Sequence, residues 1–311
     1  MSQAVIVVKR SGPLSLIQDY GRFGLAHIGI TQGGPVDDYA YCWANHLLKN
    51  PINSSVIEIT YGHCSFVASE DCHLAICGGD LSASIDDVPL NNWSDFLLRK
   101  NQTLEFGHTK NGLRTYLAIK GGFSVKLHLG STATVMRESL GGIDQHGSKL
   151  KSGDVIPFQS HHLPASKPRQ VTFRYKPDYN LPLSLRIIEG YQFNSFCSDE
   201  QEKIYSKPFA ISNDSNRMGY KVLGTKICPP TNEILSEGIA LGAIQVPPDG
   251  YPIILLNDHQ TIGGYPKLGC IARIDLPRLA QAKPGQSIRF VKGNRKELQA
   301  AWVQWARFFG Y

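Results

Sequence analysis

The segment "PIILLNDHQTIGGYPKLG" (252–269) runs an apolar stretch into Asp258, His259, Gln260 and Thr261, then turns on Gly263, Gly264 and Tyr265. An acid, an imidazole and an amide in a row can hold or move protons, and a glycine pair lets a ring or a second backbone come close. If the strand continues through them, Asp258 and Gln260 share one face while His259 and Thr261 share the other. An Asp–His proton relay made of these two neighbours is therefore not expected.

Three further clusters sit on turns. In "QDYGRFG" (18–24), Gly21 and Gly24 free the backbone to approach a ligand, and Arg22, three residues after Asp19, supplies a rigid cation for carboxylate or phosphate. The competing reading is a tight turn with a solvated Arg. "QGGPVDD" (32–38) leads into a helix whose first amides could take an anion, or it is simply a cap. "NDSNRMGY" (213–220) repeats the Arg-x-Gly theme through Arg217 and Gly219. There is no GxxxxGK[ST], no GxGxxG after a strand and no GxSxG, which argues against a self-contained ATPase, dinucleotide enzyme or α/β-hydrolase. No metal is expected either, because the His161–His162 pair lacks a second ligand cluster and reads as loop surface.

The elements that must position these residues are mostly strands. Short β-branched runs bounded by Gly, Pro or Asn recur at 4–9, 55–60, 73–78, 115–121, 183–190, 242–247 and 251–257. "RKNQTLEF" (99–106), "KLKSGDVIPF" (149–158) and "AKPGQSIRF" (282–290) echo one another: a basic residue, a turn pair, then an alternating strand closing on Phe. A weaker echo joins 21–37 to 216–224 and 242–250, which points to two related β-rich halves. Helices are few. The segment 37–50 puts Ala40, Ala44, Leu47 and Leu48 on one face behind an Asp37 or Asp38 cap. A turn at 274–281 is capped by Asp275, and a C-terminal helix carries Leu298, Trp302, Trp305 and Phe309 as a core stripe. The Pro-rich, weakly patterned segment 160–182 holds the expected boundary, giving β-rich domains at 1–165 and 166–311.

Composition narrows the partners. The net charge of +6, from 32 basic and 26 acidic residues, is scattered singly, so a nucleic-acid surface is not expected and a small anionic substrate is compatible. No apolar run approaches the about 18 residues of a membrane helix, and the first residues do not read as a signal peptide. Seven cysteines without a CxxC pair suit a reducing compartment, hence a cytoplasmic protein.

Taken together, "GPLSLIQDYGRFG", "GGPVDDYAYCWANHLLKN", "GSTATV", "NRMGY", "EGIALGAIQVPPDGYPIILLNDHQTIGGYPKLG" and "LAQAKPGQSIRF" resemble the allophanate-hydrolase subunit 2 family. This family includes the C subunit of 5-oxoprolinase and is similar to half of the carboxyltransferase domain of urea amidolyase. The likeness runs from about Gly12 to Phe290. It implies a β-rich fold of cyclophilin-like barrel character and an obligate partner, the B subunit, of allophanate-hydrolase subunit 1 type. There is one departure: "LGGIDQHGSKLKSGD" (140–154) lacks the Arg of the Gly-Arg-Ala-Leu type segment often found there.

The resemblance implies different chemistry in different branches. In the 5-oxoprolinase branch a third protein, the A subunit, joins the pair, and ATP is the co-substrate for opening 5-oxoproline to glutamate. In the urea branch the two halves move a carboxyl group from carboxybiotin. None of the three Met has an adjacent Lys, so this chain carries no biotin of its own. Other members act as antagonists of a protein inhibitor of a sporulation kinase. For lactam opening, Gln245 or Gln260 can offer both a donor and an acceptor, and Asp258 can accept the ring N–H. Arg22 and Arg217 can steady the charge that develops on the activated carbonyl. Asp258, Gln260 and Arg217 are thus the catalytic candidates, with Asp19, Arg22, Gln245, Thr261, Gly263, Gly264 and Tyr265 as substrate-binding candidates.

Overall fold

The computed structural model describes residues 4–161, 168–230 and 234–311. They form two compact units, Met1–Arg22 with Gly33–Asn180, and Phe23–Gln32 with Leu181–Tyr311. The boundary expected between 165 and 166 lies outside the described residues. Beyond it, residues 169–180 bond within the first unit: Asp95 N donates to Arg169 O (3.0 Å), and Tyr179 N to Asn111 Oδ1 (2.9 Å).

The chain is mostly β, as its short β-branched runs predict. In the first unit a six-stranded sheet runs in the order Val155–Phe158, Ala4–Ser11, Cys64–Ala68, Thr103–Phe106, Ser84–Ile85 and Val88–Pro89. A five-stranded sheet runs Leu14–Gln18, Val56–Thr60, Asn111–Ile119, Cys72–Asp80 and Ser94–Leu98. Alternation turns Ile6, Val8, Phe66 and Leu104 of the former into one core with Ile57, Ile59, Leu74 and Leu117 of the latter. Each such burial is worth about 1.5–3 kcal/mol. Helix α1 (Asp38–Leu47) packs on the strands Cys72–Asp80 and Asn111–Ile119, and Ala40, Ala44, Leu47 and Leu48 are all buried. Asp37 is its cap, accepting from Ala40 N at 2.9 Å.

The second unit is a closed barrel in the order Leu183–Glu189, Lys267–Ile271, Ala243–Gln245, Ile253–Leu255, Gly219–Gly224, Phe209–Ile211 and Ser287–Lys292. Parallel pairing of the first strand with the last closes it, and Leu185, Ile187, Tyr220, Ile254 and Phe290 fill it. Helix α2 (Ser198–Ser206) was not legible in the sequence, because its polar run buries only Glu200 and Ile204. Before α3 (Leu276–Ala280), Asp275 makes no cap hydrogen bond; its carboxylate is held by Arg186, whose N and Nε each lie at 2.9 Å. Helix α4 (Arg295–Phe309) is capped by Asn294 and ends on left-handed Gly310. Its stripe is only partly core: Leu298 and Phe309 are buried, whereas Trp302 and Trp305 are half-buried, and Trp305 stacks on Tyr311 at 5.8 Å.

The three echoing segments share one device. Gln102, Asp154 and Gln286 donate their N–H to the carbonyl three residues back, at 3.1, 3.1 and 3.0 Å. Their side chains in return accept the N–H of Arg99, Lys151 and Lys283 at 2.9, 2.7 and 3.1 Å. The third residue of each turn is left-handed: Asn101 (φ 66°), Gly153 (φ 94°) and Gly285 (φ 82°), as a type II turn requires. We expect Gly285→Ala to cost about 1–2 kcal/mol, because nothing lies within 4 Å of the added carbon and only the backbone is strained. Gly285→Asn should cost less, since asparagine tolerates this region better. Urea midpoints of the two variants check the ranking.

Candidate functional site

The strand Ile253–Leu255 ends three residues before Asp258. Asp258 N then donates to Arg217 O (3.0 Å) and His259 N to Leu256 O (3.0 Å), so the chain turns at Asn257–Asp258. The alternation expected from 258 to 261 therefore does not apply, because these residues are no longer extended. Asp258 and Arg217 are 4% and 5% exposed and meet as a bidentate fork, Nε to Oδ2 and Nη2 to Oδ1, both at 2.8 Å. Two buried charges in this geometry satisfy each other's desolvation and pin the turn to the strand that begins at Gly219. His259 Nδ1 lies 2.6 Å from Gln260 O, and its own carbonyl accepts from Thr31 Oγ1 at 3.0 Å.

Gln245 ends the strand Ala243–Gln245, opposite Ile253 on one side and Lys267 on the other. Its side chain is 1% exposed, and its Nε2 is buried without a hydrogen-bond partner among the described residues. The ribbon formed by Glu237–Gly238 and Ile262–Gly263 comes down onto it. A methyl group at Gly263 would stand 2.6 Å from Ile239 Cδ1, 2.9 Å from Gln245 Nε2 and 3.6 Å from Gln260 Nε2. Two amides thus converge on this glycine, and a side chain there would have to displace the ends of Ile239 and Gln245. Gly264 makes a similar approach, since a methyl group added there would stand 3.2 Å from Ile234 O. Thr261 O accepts from Ile239 N (3.0 Å), and Tyr265 is 45% exposed.

Beside them lies a polar cluster that sequence reasoning missed. Lys267 Nζ is paired with Glu237, which also accepts from Tyr191 OH and, at 2.8 Å, from Gln192 Nε2. Gln192 Oε1 accepts from Lys267 N at 2.8 Å. Lys267, and then the Tyr191 hydroxyl, hold the Glu237 carboxyl below its ordinary value, and Glu237 in turn pushes the Tyr191 hydroxyl up. The only signal was Lys267 itself, two residues beyond Tyr265; its partners are distant in sequence.

Asp19 and Arg22 belong to the first unit, the other candidate residues to the second. Asp19 is 1% exposed; Oδ1 accepts from Gly21 N (3.0 Å) and Ser131 Oγ, and Oδ2 from Thr132 N (2.7 Å). Arg22 is not solvated: it is 3% exposed and donates to His128 O (3.0 Å) and Ser131 O (3.4 Å). Both residues therefore shape the "GSTATV" loop.

The helix N-terminus after "QGGPV" is filled by the chain's own groups. Glu58 Oε2 accepts from Tyr116 OH (2.7 Å) and Val36 N (3.2 Å), Tyr116 OH accepts from Asp37 N (2.8 Å), and Tyr179 OH donates to Asp37 (3.3 Å). Burial, and next the neighbouring carboxylates, drive the Tyr116 and Tyr179 hydroxyls far above their ordinary value, so both stay protonated donors. A lone Glu in the run "SVIEIT" was the available signal for this network. Among the described residues no group of three His, Cys, Asp or Glu is placed to hold a metal; His162 lies outside them. No described helix is long and apolar enough to cross a membrane.

The family model for the carboxyltransferase domain, subdomain A and B, matches residues 28–292. The chain is 32% identical over 311 residues to the 5-oxoprolinase C subunit of Escherichia coli (strain K12), covering 98% of this chain and 96% of that one. It is 33% identical over 277 residues to the 5-oxoprolinase C subunit of Haemophilus influenzae, covering 88% and 86%. Urea amidolyase of Lachancea kluyveri is 27% identical over 91% of this chain, which spans only 17% of that protein. The solved structure of TTHA0988 superposes with a TM-score of 0.84 at 30% identity, over 93% of this chain and 56% of that chain.

Two outcomes are expected from the barrel geometry. Asp258→Asn should destabilise by about 3–5 kcal/mol by leaving Arg217 buried and uncompensated, and adding Arg217→Met should recover part of the loss; a double-mutant cycle in urea measures this. The Glu237 side chain should titrate below the ordinary carboxylate range by NMR and move up in Lys267→Met. Because the native value is the lower one, the pair's contribution is complete above the ordinary value and disappears as pH falls through the lowered one.

Proposed function

The chain belongs to the family of carboxyltransferase domains, subdomains A and B, and from that premise we propose that it is the C subunit of an ATP-dependent 5-oxoprolinase. The observation that carries this reading is the near end-to-end similarity to two 5-oxoprolinase C subunits, at 32% and 33% identity. It acts in the cytoplasm with homologues of the A and B subunits, and is inactive without them. ATP is a co-substrate of the complex, consumed as the lactam of 5-oxoproline opens to glutamate.

The barrel end supports this reading chemically. A lactam presents an N–H beside a C=O, and an amide side chain is the complementary donor and acceptor. Gln245 offers a buried donor that nothing in the described chain uses, and Gln260 borders the same glycine. We assign Gln245 to the ring carbonyl and Gln260 to the ring N–H, with Thr261, Gly263, Gly264 and Tyr265 forming the adjoining wall. The Arg217–Asp258 fork ties these two groups to each other, so we assign them as positioning residues for the 258–260 turn. Phosphoryl transfer from ATP to the carbonyl oxygen releases ADP and makes C5 electrophilic; one water adds at C5, the C–N bond breaks as the nitrogen takes up a proton to leave an acyl phosphate, and a second water hydrolyses that to release phosphate and the new carboxylate. Asp19 and Arg22 hold the loop at 128–134.

A second reading is carboxyl transfer in urea metabolism, favoured by the urea amidolyase similarity and the family's description. A third, regulatory binding of the B-type partner without catalysis, comes from the same resemblance. Reconstituting this chain with the A and B subunits should give ATP-dependent glutamate release from 5-oxoproline, with none from this chain alone. Gln245→Leu should lower kcat/KM by about tenfold to a hundredfold while leaving the complex assembled. Glutamate release by the A and B subunits without this chain, or carboxyl transfer from carboxybiotin in its place, would overturn the assignment.

A further inference from the structure

A concave site lies wholly within the first unit and shares no residue with the barrel end. A cleft of about 630 Å³ opens between the C-terminal half of α1 and the segment 169–175, lined among others by Trp43, His46, Lys49, Arg169 and Tyr175. That volume falls in the range of small-molecule sites.

Its walls are built rather than incidental. Residues 169–171 add an edge to the strand Ser94–Leu98: Asp95 N donates to Arg169 O (3.0 Å), Val171 N to Trp93 O (2.9 Å), and Ser94 bridges Gln170. Asp95, 1% exposed, also accepts from the backbone N–H of Arg169 and, at 3.0 Å, from its Nε. His73 Nε2 braces the same carboxylate at 3.4 Å. The guanidinium is thereby clamped along one edge by a buried acid. Neither of its Nη groups has a partner among the described residues, and the side chain is 41% exposed. Lys49 Nζ, also exposed, is likewise without one.

Aromatic side chains supply the rest of the lining, Trp43 from α1 and Tyr175 from the segment 169–175. Trp43 is packed by Tyr175 (5.8 Å), by Tyr39 edge-on (6.3 Å) and by the His46 ring (5.4 Å), and Tyr39 OH fixes Tyr175 by donating to its carbonyl at 2.8 Å. Burial, and then the nearby Arg169, lower the His46 pKa, which fits an imidazole that stays neutral beside a fixed cation.

We propose that this cleft binds a small flat ring carrying an oxyanion, the ring lying against Trp43 and Tyr175 and the oxyanion taken by the free edge of Arg169 with Lys49. A clamped guanidinium loses little freedom on binding and matches carboxylate or phosphate through two parallel N–H groups. Aromatic walls suit a planar ring better than an aliphatic chain.

The test uses the full chain and ligand-observed NMR titrations with indole-3-carboxylate and, separately, adenosine 5′-monophosphate; indole and adenosine are the uncharged controls. At least one anion should bind saturably and at least about tenfold tighter than its control. Which of the two binds distinguishes carboxylate from phosphate. Arg169→Gln and Tyr175→Ala should each weaken it by about tenfold. Should Arg169→Gln disturb the edge strand, Lys49→Ala on the open surface reports the charge requirement by itself. The proposal is overturned if neither anion saturates, if the uncharged rings bind as tightly, or if Lys49→Ala and Tyr175→Ala both leave affinity unchanged. Because glutamate release is not the readout, failure here and failure of the 5-oxoprolinase assignment are distinct.

Discussion

A guanidinium buried in a barrel must be answered by an acid, and at Arg217 the answer comes from Asp258, 41 residues along the chain. The fork decides where the strand Ile253–Leu255 stops, because its geometry is met only if the backbone turns at Asn257–Asp258 and Asp258 N reaches Arg217 O. The residues after Asp258 are then placed by that turn. Gln260 and Gly263 arrive beside Gln245, and the strand Lys267–Ile271 pairs with Ala243–Gln245 across a register shift between Ile244 and Gln245. An unpaired charge at either end would be among the costliest single defects the barrel could carry.

The same logic explains why the polar residues of this region are crowded yet ordered. Glu237 gathers Lys267, Tyr191 and Gln192, and Gln192 returns an acceptor to the Lys267 backbone. A ring of this kind fixes Lys267 by two independent bonds, one through its side chain and one through its main chain. Fixing Lys267 also fixes the strand facing Gln245. Charge pairing here acts chiefly as a positioning device, since half-exposed pairs contribute little to stability.

What was legible in the sequence was what is local. The short strands arise from β-branched runs, α1 from its Asp37 cap and apolar face, and the three hairpin entries from turn residues that can adopt positive φ at Asn101, Gly153 and Gly285. The family resemblance was legible because its motifs are long and nearly span the chain. What was hidden is what depends on partners far apart in sequence. Glu58 with Tyr116, Asp275 with Arg186, Glu237 with Lys267 and Arg217 with Asp258 are separated by 58, 89, 30 and 41 residues. The alternation rule failed at 258–261 for the same reason, since a long-range ion pair ended the strand that a local reading extended. Helix α2 leaves no period in the sequence because only Glu200 and Ile204 of its nine residues are buried.

Satisfied and unsatisfied groups divide the candidate residues by role. Asp19 takes three donors from Gly21, Ser131 and Thr132, and that carboxylate is fully occupied in holding a loop. Gln245 Nε2, equally buried, has none among the described residues. An idle buried donor costs on the order of 1–3 kcal/mol, and a side chain of similar shape without the amide would remove that cost. Breaks of local rules of this kind are expected at functional or strained sites. The neighbouring Gly263, which brings backbone to within reach of that amide, adds a second departure at the same point. The two features meet at one donor, and this is why we propose Gln245 for recognition rather than the charged pair beside it, whose charges are already engaged with each other.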